Sequence, residues 1–452
     1  MNEAAVMATE KQAVPKGYKQ TEVGAIPEDW GVATIEELAC IIDPQPDHRT
    51  PPESSNGEPY IGISDFINSR EVDWTASRKI ISKAVDKQEK SFQLQKGDIV
   101  FGKIGTIGVP KFVPQVPFRF ALSANVILLQ PKNVEPIYLM AFFYSELFQK
   151  TLKSELHSTS QAAFGMNKMR LIKLPLPPIK EQTAIANALS DMDALLTELE
   201  QLIAKKQAIK TATMQQLLTG KTRLPQFANH EDGSAKGYKL SELGEIPEDW
   251  RVKPIESLIQ DLRGGAPFKP SDFTNTGVKV LPKGGVVRGG VLKVTEKDQQ
   301  FCSKDWSLKY SKNCIDNRYT IVVLRDLVPS GPSIGLMVNI PIDEKYVLAQ
   351  GVYGFIAEDS ETSNYLIQYS NTTQYRKAAN EIMVGSTQVH ITNGAFKALK
   401  IPLPPREERG AIAVVLSDMD NEIQTLEKRL NKTRQLKQGM MQELLTGKTR
   451  LV

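Results

Sequence analysis

The sequence predicts an α+β protein: two pseudo-twofold-related α/β bodies separated by two long helices that form an antiparallel coiled coil. Three observations carry this expectation. The stretch from Leu176 to Arg223 returns without a gap from Leu403 to Arg450, 227 residues later, and an internal repeat of that length sets the architecture. A second motif, GYKQTEVGAIPEDWGV from Gly17, returns as GYKLSELGEIPEDWRV from Gly237, 220 residues later. Both long repeats also run from acidic to basic, so antiparallel packing sets acid against base and parallel packing sets like against like.

Residues 1–16 have no periodicity and read as a mobile tail. Residues 17–173 form the first body, opened by the motif whose Trp30 is expected to pin its Ile-Pro-Glu-Asp turn to the body behind it. Short β-rich runs follow at Asp98 to Gly102, Gly108 to Val113 and Asn125 to Gln130, with a helix from Tyr138 to Leu152. Residues 174–224 are the first long helix. Prolines from Leu174 to Pro178 stiffen its extended start, and Gly220 suits a left-handed cap at its end.

Ile185, Leu189, Met192, Leu196, Leu199 and Ile203 alternate in steps of four and three along that helix, the spacing of a coiled-coil seam. Residues 225–236 are polar and read as a surface linker. Residues 237–400 form the second body, with Trp250 in the place of Trp30. Its strand-like runs are Val278 to Leu281, Thr320 to Leu324 and Tyr353 to Ala357, and its helix Asn364 to Asn380. Residues 401–452 repeat the long helix, with the seam Ile412, Leu416, Met419, Ile423, Leu426 and Leu430 and the closing Gly447. Outside their edges the two bodies share little sequence, so the chain fixes its spacers and varies its heads.

Composition narrows the function. A chain of 452 residues exceeds one ordinary core, and 41% hydrophobic residues without a long apolar run predict neither a membrane span nor a secretory signal. Cys40, Cys302 and Cys314 are isolated thiols that suit a reducing cytoplasm. The formal charge of +4 permits a nucleic-acid partner but requires local basic clusters to hold it.

No catalytic constellation stands out. Thr219-Gly-Lys-Thr222 and Thr446-Gly-Lys-Thr449 contain the end of a phosphate-binding loop, but Gln215 and Gln442 replace its first glycine and the motif closes a helix instead of opening one. There is no glycine-rich AdoMet loop, no Asn-Pro-Pro-aromatic site for a flipped base, and no evident metal site. No catalytic residue, metal or cofactor is therefore expected.

Residues suited to reading DNA are present in both bodies. The first has Lys103 between glycines, with Arg70, Lys111, Arg119 and Asn125 nearby in sequence. The second has Arg263, Lys283 and Arg288 in glycine-rich loops. Arg and Lys suit phosphates and guanine edges, Asn and Gln suit adenine. A Thr/Ser-Gln pair, ending at Gln161 and Gln388, recurs thirteen residues before each proline segment and is a candidate for a shared DNA contact.

With its paired Ile-Pro-Glu-Asp-Trp openings, two unlike bodies and two Pro-Leu-Pro-Pro helices ending in Leu-Leu-Thr-Gly, the chain from Gly17 onward resembles the specificity subunits of Type I restriction-modification systems. The resemblance implies two target recognition domains, 17–173 and 237–400, and a subunit that is not itself catalytic. It implies double-stranded DNA as ligand, and as partners two adenine-methylating subunits that use AdoMet and ATP-dependent restriction and translocase subunits. The target would be bipartite. Two other classes are weighed beside it: a component of a single-polypeptide restriction system, and a coiled-coil scaffold without DNA specificity.

One asymmetry is the chain's own. A second apolar line, Ala188, Leu195, Leu202 and Ile209, runs along the first helix, whereas the second helix has Val415, Glu422, Arg429 and Leu436 there. The first helix is thus expected to offer the more apolar docking face, at Leu195, Leu202 and Ile209. Antiparallel helices of about 38 residues, on the order of 57 Å at 1.5 Å per residue, would act as a ruler holding two unlike half-sites about one DNA turn apart.

Overall fold

The computed structural model describes residues 14–45, 49–157, 164–290, 292–326, 330–341, 343–386 and 388–451. Of the expected tail 1–16, residues 1–13 lie outside them. The chain divides into two compact units, Met1–Glu200 with Arg429–Val452, and Gln201–Lys428. Each unit therefore contains one body and parts of both long helices, Ile179–Leu217 and Arg406–Leu444, of 39 residues each.

In the first unit an antiparallel sheet runs in the order Ala39–Ile42, Val126–Pro131, Ile99–Gly102, Pro110–Phe112. The second unit repeats that order with Ile259–Arg263, Val352–Ala357, Thr320–Val323 and Met337–Asn339. Bodies with little common sequence thus share one framework, because the strands need only apolar, β-branched runs in the right order. Each body has a second sheet that includes a parallel pair, Glu53–Ile61 with Ala121–Leu122 in a three-stranded sheet and Val278–Leu281 with Tyr346–Leu348 in a five-stranded one.

Each body is closed where it meets its helix. Gly31–Thr34 pairs with Lys173–Leu176, and Arg251–Pro254 with Lys400–Leu403, so the prolines sit in two-stranded ribbons where a missing N–H is tolerated. The single helices expected at 138–152 and 364–380 are each two. Ser145 separates Pro136–Tyr144 from Glu146–His157 and accepts from Phe148 N–H, and Thr372 caps Thr373–Glu381 after the end of Ser360–Tyr369. Apolar periodicity continues across both breaks, which is why pattern alone joins them. The linker is folded back on itself: His230 N–H bonds Ser234 O and Lys236 N–H bonds Ala228 O.

The long helices contribute to the cores. Ile185, Leu189, Leu444 and Leu445 join Trp30, Phe101 and Phe142 in the first unit, while Met214, Leu218, Ile412 and Leu416 join Trp250, Phe355 and Phe396 in the second. The seam is antiparallel within each unit. Asp193 pairs with Lys437 at 2.5 Å and Glu200 with Arg434 at 2.6 Å in the first; Lys206 pairs with Glu422 at 2.7 Å and Lys210 with Asp420 at 2.5 Å in the second. Leu199, Ile203, Ile423 and Leu430 are buried along it, and Met192, Leu196, Met419 and Leu426 are half-buried.

Trp30 does more than pin its turn to the body. Its indole N–H donates to Glu181 Oε2 at 2.9 Å, and Arg450 Nε and Nη2 fork onto the two Glu181 oxygens at 2.7 and 2.8 Å while Nη1 and the shared Nη2 reach Asp29. In the second unit Trp250, Glu408, Arg223 and Asp249 repeat the arrangement. Each motif thus clasps the start of one long helix and the end of the other.

Gly220 and Gly447, at φ +73° and +70°, are the left-handed caps within these clasps. A Cβ would lie 2.4 Å from Pro247 Cδ at the first and 2.5 Å from Pro27 Cδ at the second, so both backbone shape and space require glycine. The Gly-Lys-Thr sequence accordingly ends a helix.

Candidate nucleic-acid interface

Three segments converge beside the central sheet of each body. In the first, Lys103 N–H donates to Asn125 O and Lys103 O accepts from Phe164 N–H, both at 2.9 Å. In the second, Leu324 makes the same two bonds with Gly351 and Ile391. The hairpin that follows is closed by Gly108 N–H to Gly102 O, and by Gly335 N–H to Val323 O. Seven residues span the first closure and thirteen the second, so six extra residues of the second body sit in this one turn.

Next to the hairpin, loops closed by the bridges Phe66–Val72 and Val286–Leu292 dock on the outer strand, through Phe112 N–H to Ser69 O and Asn339 N–H to Gly290 O. Arg70 and Arg288 therefore lie on equivalent loops, which their sequences do not reveal. The third segment leads into Phe164 and Ile391. Gln161 falls outside the described residues; Gln388 is exposed, three residues before Ile391.

The cations singled out by sequence divide into two groups. Lys103 is 6% exposed and its ammonium meets Asp43 at 2.8 Å, so it is turned inward. Arg119 is bound by Glu58, Asp86 and Glu89, its hydrogen bonds to Glu89 and Asp86 raise its pKa, and it sits in a locally acidic cluster. Arg263 forks to Asp261 and lies over the Tyr319 ring, and Lys283 meets the buried carboxylate of Asp326 at 3.0 Å. Glycine-rich surroundings suggest open loops, but Lys103, Arg119 and Lys283 are met by acids distant in sequence and Arg263 by Asp261 on its own strand.

The second group remains available. Arg70 and Arg288 are exposed, and no carboxylate among the described residues pairs with either. Arg70 lies over Phe112, 4.8 Å from the ring centroid, and Lys111 donates to Asn68 O at 2.8 Å on the same loop. Asn125 is exposed on a cleft of about 300 Å³ lined also by Gly62, Ser64, Arg78, Thr106 and Ser123. Donors and acceptors of both kinds face that cleft, as contacts to base edges require. Sequence reading missed Arg78 and Ser123 because the strands that bring them together are far apart in the chain.

These placements predict different outcomes for the two groups. Lys103→Ala is expected to lower stability by about 3 kcal/mol, because it would break the buried ion pair with Asp43. Arg288→Ala is expected to leave stability unchanged, and to weaken DNA binding by about 1 kcal/mol with a shallower salt dependence if it holds a phosphate. Urea unfolding and DNA titration at two salt concentrations check both; a DNA defect without a stability loss in Lys103→Ala would reverse the assignment.

Among the described residues no group of three His, Cys, Asp or Glu side chains is placed to hold a metal ion, and no helix is long and apolar enough to cross a membrane. On the first long helix, Leu202 and Ile209 are 39% and 42% exposed and Leu195 is half-buried.

A family profile described as the type I restriction modification DNA specificity domain matches residues 27–211 and 247–435. The type I restriction enzyme MjaVIII specificity subunit of Methanocaldococcus jannaschii is 29% identical over 449 residues, covering 96% of each chain. Two solved structures share the fold. One is a chain solved for complex assembly and conformational transition of the type I R-M system, with TM-score 0.53, 16% identity, and 94% of this chain and 99% of that one covered. The other is the type I restriction-modification S subunit from M. genitalium, with TM-score 0.52, 13% identity, and 92% and 96% covered. Two matches of the profile, one on each half of the repeated architecture, show that the chain belongs to the type I restriction-modification DNA specificity subunits, whose task is DNA recognition and not catalysis.

Proposed function

We propose that this specificity subunit reads a bipartite duplex target, one half-site per body, with a fixed non-specific spacer between them. The observation that carries this reading is the common framework with unlike tips: the same hairpin closure and docked loop recur, while hairpin length and exposed side chains differ. Such an arrangement holds contacts to DNA in a fixed geometry and varies what they read. Exchanging one body and mapping the methylated motif tests it.

The subunit would act in the cytoplasm, docking methyltransferase and restriction/translocase subunits. For the methyltransferase we propose the line Leu195, Leu202 and Ile209, which recurs at seven-residue intervals on the first long helix. An exposed leucine and isoleucine on a helix flank are suited to burial by a partner. Leu202→Glu with Ile209→Glu is expected to abolish methyltransferase capture in a pull-down while the helical content by circular dichroism stays the same; full capture would refute this docking face.

A further inference from the structure

We propose that Arg325 is a guanine-reading side chain of the second body, and hence that the half-site read by this body contains a guanine. The inference rests on the reading of each body as a DNA-reading head. Arg325 lies at the base of the lengthened hairpin, at the end of the strand pair Arg325–Asp326 with Val389–His390. It is exposed, and no carboxylate among the described residues pairs with it. In this respect it differs from Arg263 and Lys283, whose charges are met by acids of the same body.

Its backbone is held from both sides. Leu324 and Arg325 both donate N–H to Gly351 O, at 3.0 and 3.2 Å, and Ile391 N–H returns to Leu324 O at 2.8 Å. Because side chains alternate along a strand, Asp326 points the other way. There it accepts from Ser333 Oγ at 2.6 Å and pairs with Lys283, anchoring the hairpin to the neighbouring turn.

Arg376 donates to Pro332 O and Ile334 O, bracing the returning arm. Arg325 thus projects from a backbone held by hydrogen bonds, opposite His390 and beside the segment that carries exposed Gln388. A guanidinium carried on such a backbone can present two parallel donors to O6 and N7 of guanine, a pairing that ammonium or amide groups reproduce less well. The first body has Ile104 at the corresponding position, 49% exposed and without hydrogen-bonding capacity, so the two bodies differ in chemistry at the same point of one framework.

The test uses the assembled methyltransferase complex with wild-type subunit, Arg325→Ala and Arg325→Lys. Methylated adenines are mapped by sequencing, and duplex affinity is measured at two salt concentrations. Arg325→Ala is expected to relax one guanine position in the half-site that exchange of the second body replaces, and to lower affinity for the intact target by about tenfold to a hundredfold. Arg325→Lys should retain part of the preference, and thermal unfolding of both variants should match wild type.

An unchanged motif, a change in the other half-site, a second half-site without guanine, or uniform weakening with a shallower salt slope, the mark of a phosphate contact, would each overturn the assignment. Failure of the underlying reading looks different: exchange of the second body would then alter both half-sites in the wild-type background.

Discussion

Glu408→Ala is expected to destabilise the second unit by about 3 to 5 kcal/mol, the cost of removing one member of a buried ion pair. Glu408 is 0% exposed, and it accepts from Arg223 Nε and Nη2 at 2.9 and 2.6 Å and from Trp250 Nε1 at 2.9 Å. Alanine would leave the buried indole N–H without a partner and Arg223 with Asp249 alone. Glu408→Gln keeps an acceptor for Trp250 but loses the charge, and should fall between alanine and wild type.

The first clasp should be the milder case, because the Arg450 side chain is 27% exposed where that of Arg223 is 5%. Urea unfolding of the paired variants Glu181→Ala and Glu408→Ala measures the difference; a loss below about 1 kcal/mol at Glu408 would mean that the clasp does not bind helix to body.

The clasps also predict the direction of acid sensitivity. Burial pushes the Glu181 carboxyl up, but hydrogen bonds from Arg450 and Trp30 outweigh it and leave the pKa below its ordinary 4.5. Burial likewise opposes Arg223 and Lys236 at Asp249, whose pKa ends below 3.8. A carboxylate with a depressed folded pKa contributes stability that is present above its unfolded value and lost as pH falls through the folded one. The clasps should therefore hold at neutral pH and weaken progressively below about pH 4.5, and Glu181→Gln should flatten part of that acid limb.

The parts of this fold that sequence made legible are those that repeat or alternate. The run Val278 to Leu281 is a strand at its expected bounds, and the seam residues face a partner in each unit because their spacing admits no other helical face. The clasps were hidden because their members come from both repeats with the order exchanged. Trp30 meets Glu181, 151 residues on, and the arginine that completes the site is Arg450, not Arg223 of the same repeat. Candidate DNA contacts were less legible still. A glycine-flanked Lys103 and an Arg325 following a strand look alike as charges in sequence, and only a long-range acid, Asp43, distinguishes the inward one.

Exchange of residues 31–173 for the corresponding body of another specificity subunit is expected to replace one half-site of the methylated motif and to retain the other half-site and the spacer. The junctions are set by physical constraints. Trp30 must stay with the recipient, because its indole bonds Glu181 of the retained helix and its ring packs on the cap at Gly447. The incoming strand that replaces Gly31–Thr34 must pair with the retained Leu174–Leu176, a backbone contact that tolerates sequence change so long as the register is kept.

The donor core must accept Ile185, Leu189, Leu444 and Leu445, which remain on the long helices and are at most 3% exposed. A donor that leaves a cavity there would cost on the order of 2 to 5 kcal/mol for each large side chain left unpacked, enough to hide a correct change of specificity behind poor folding. Thermal unfolding of the chimera therefore accompanies motif mapping, and the reciprocal exchange of residues 251–400 supplies the second half of the test. If a well-folded chimera changed both half-sites, the two bodies would read the target jointly and the proposed division of labour would fail. If each exchange moves its own half alone, one body is sufficient for one half-site, and side chains such as Arg325 can be assigned to bases within it.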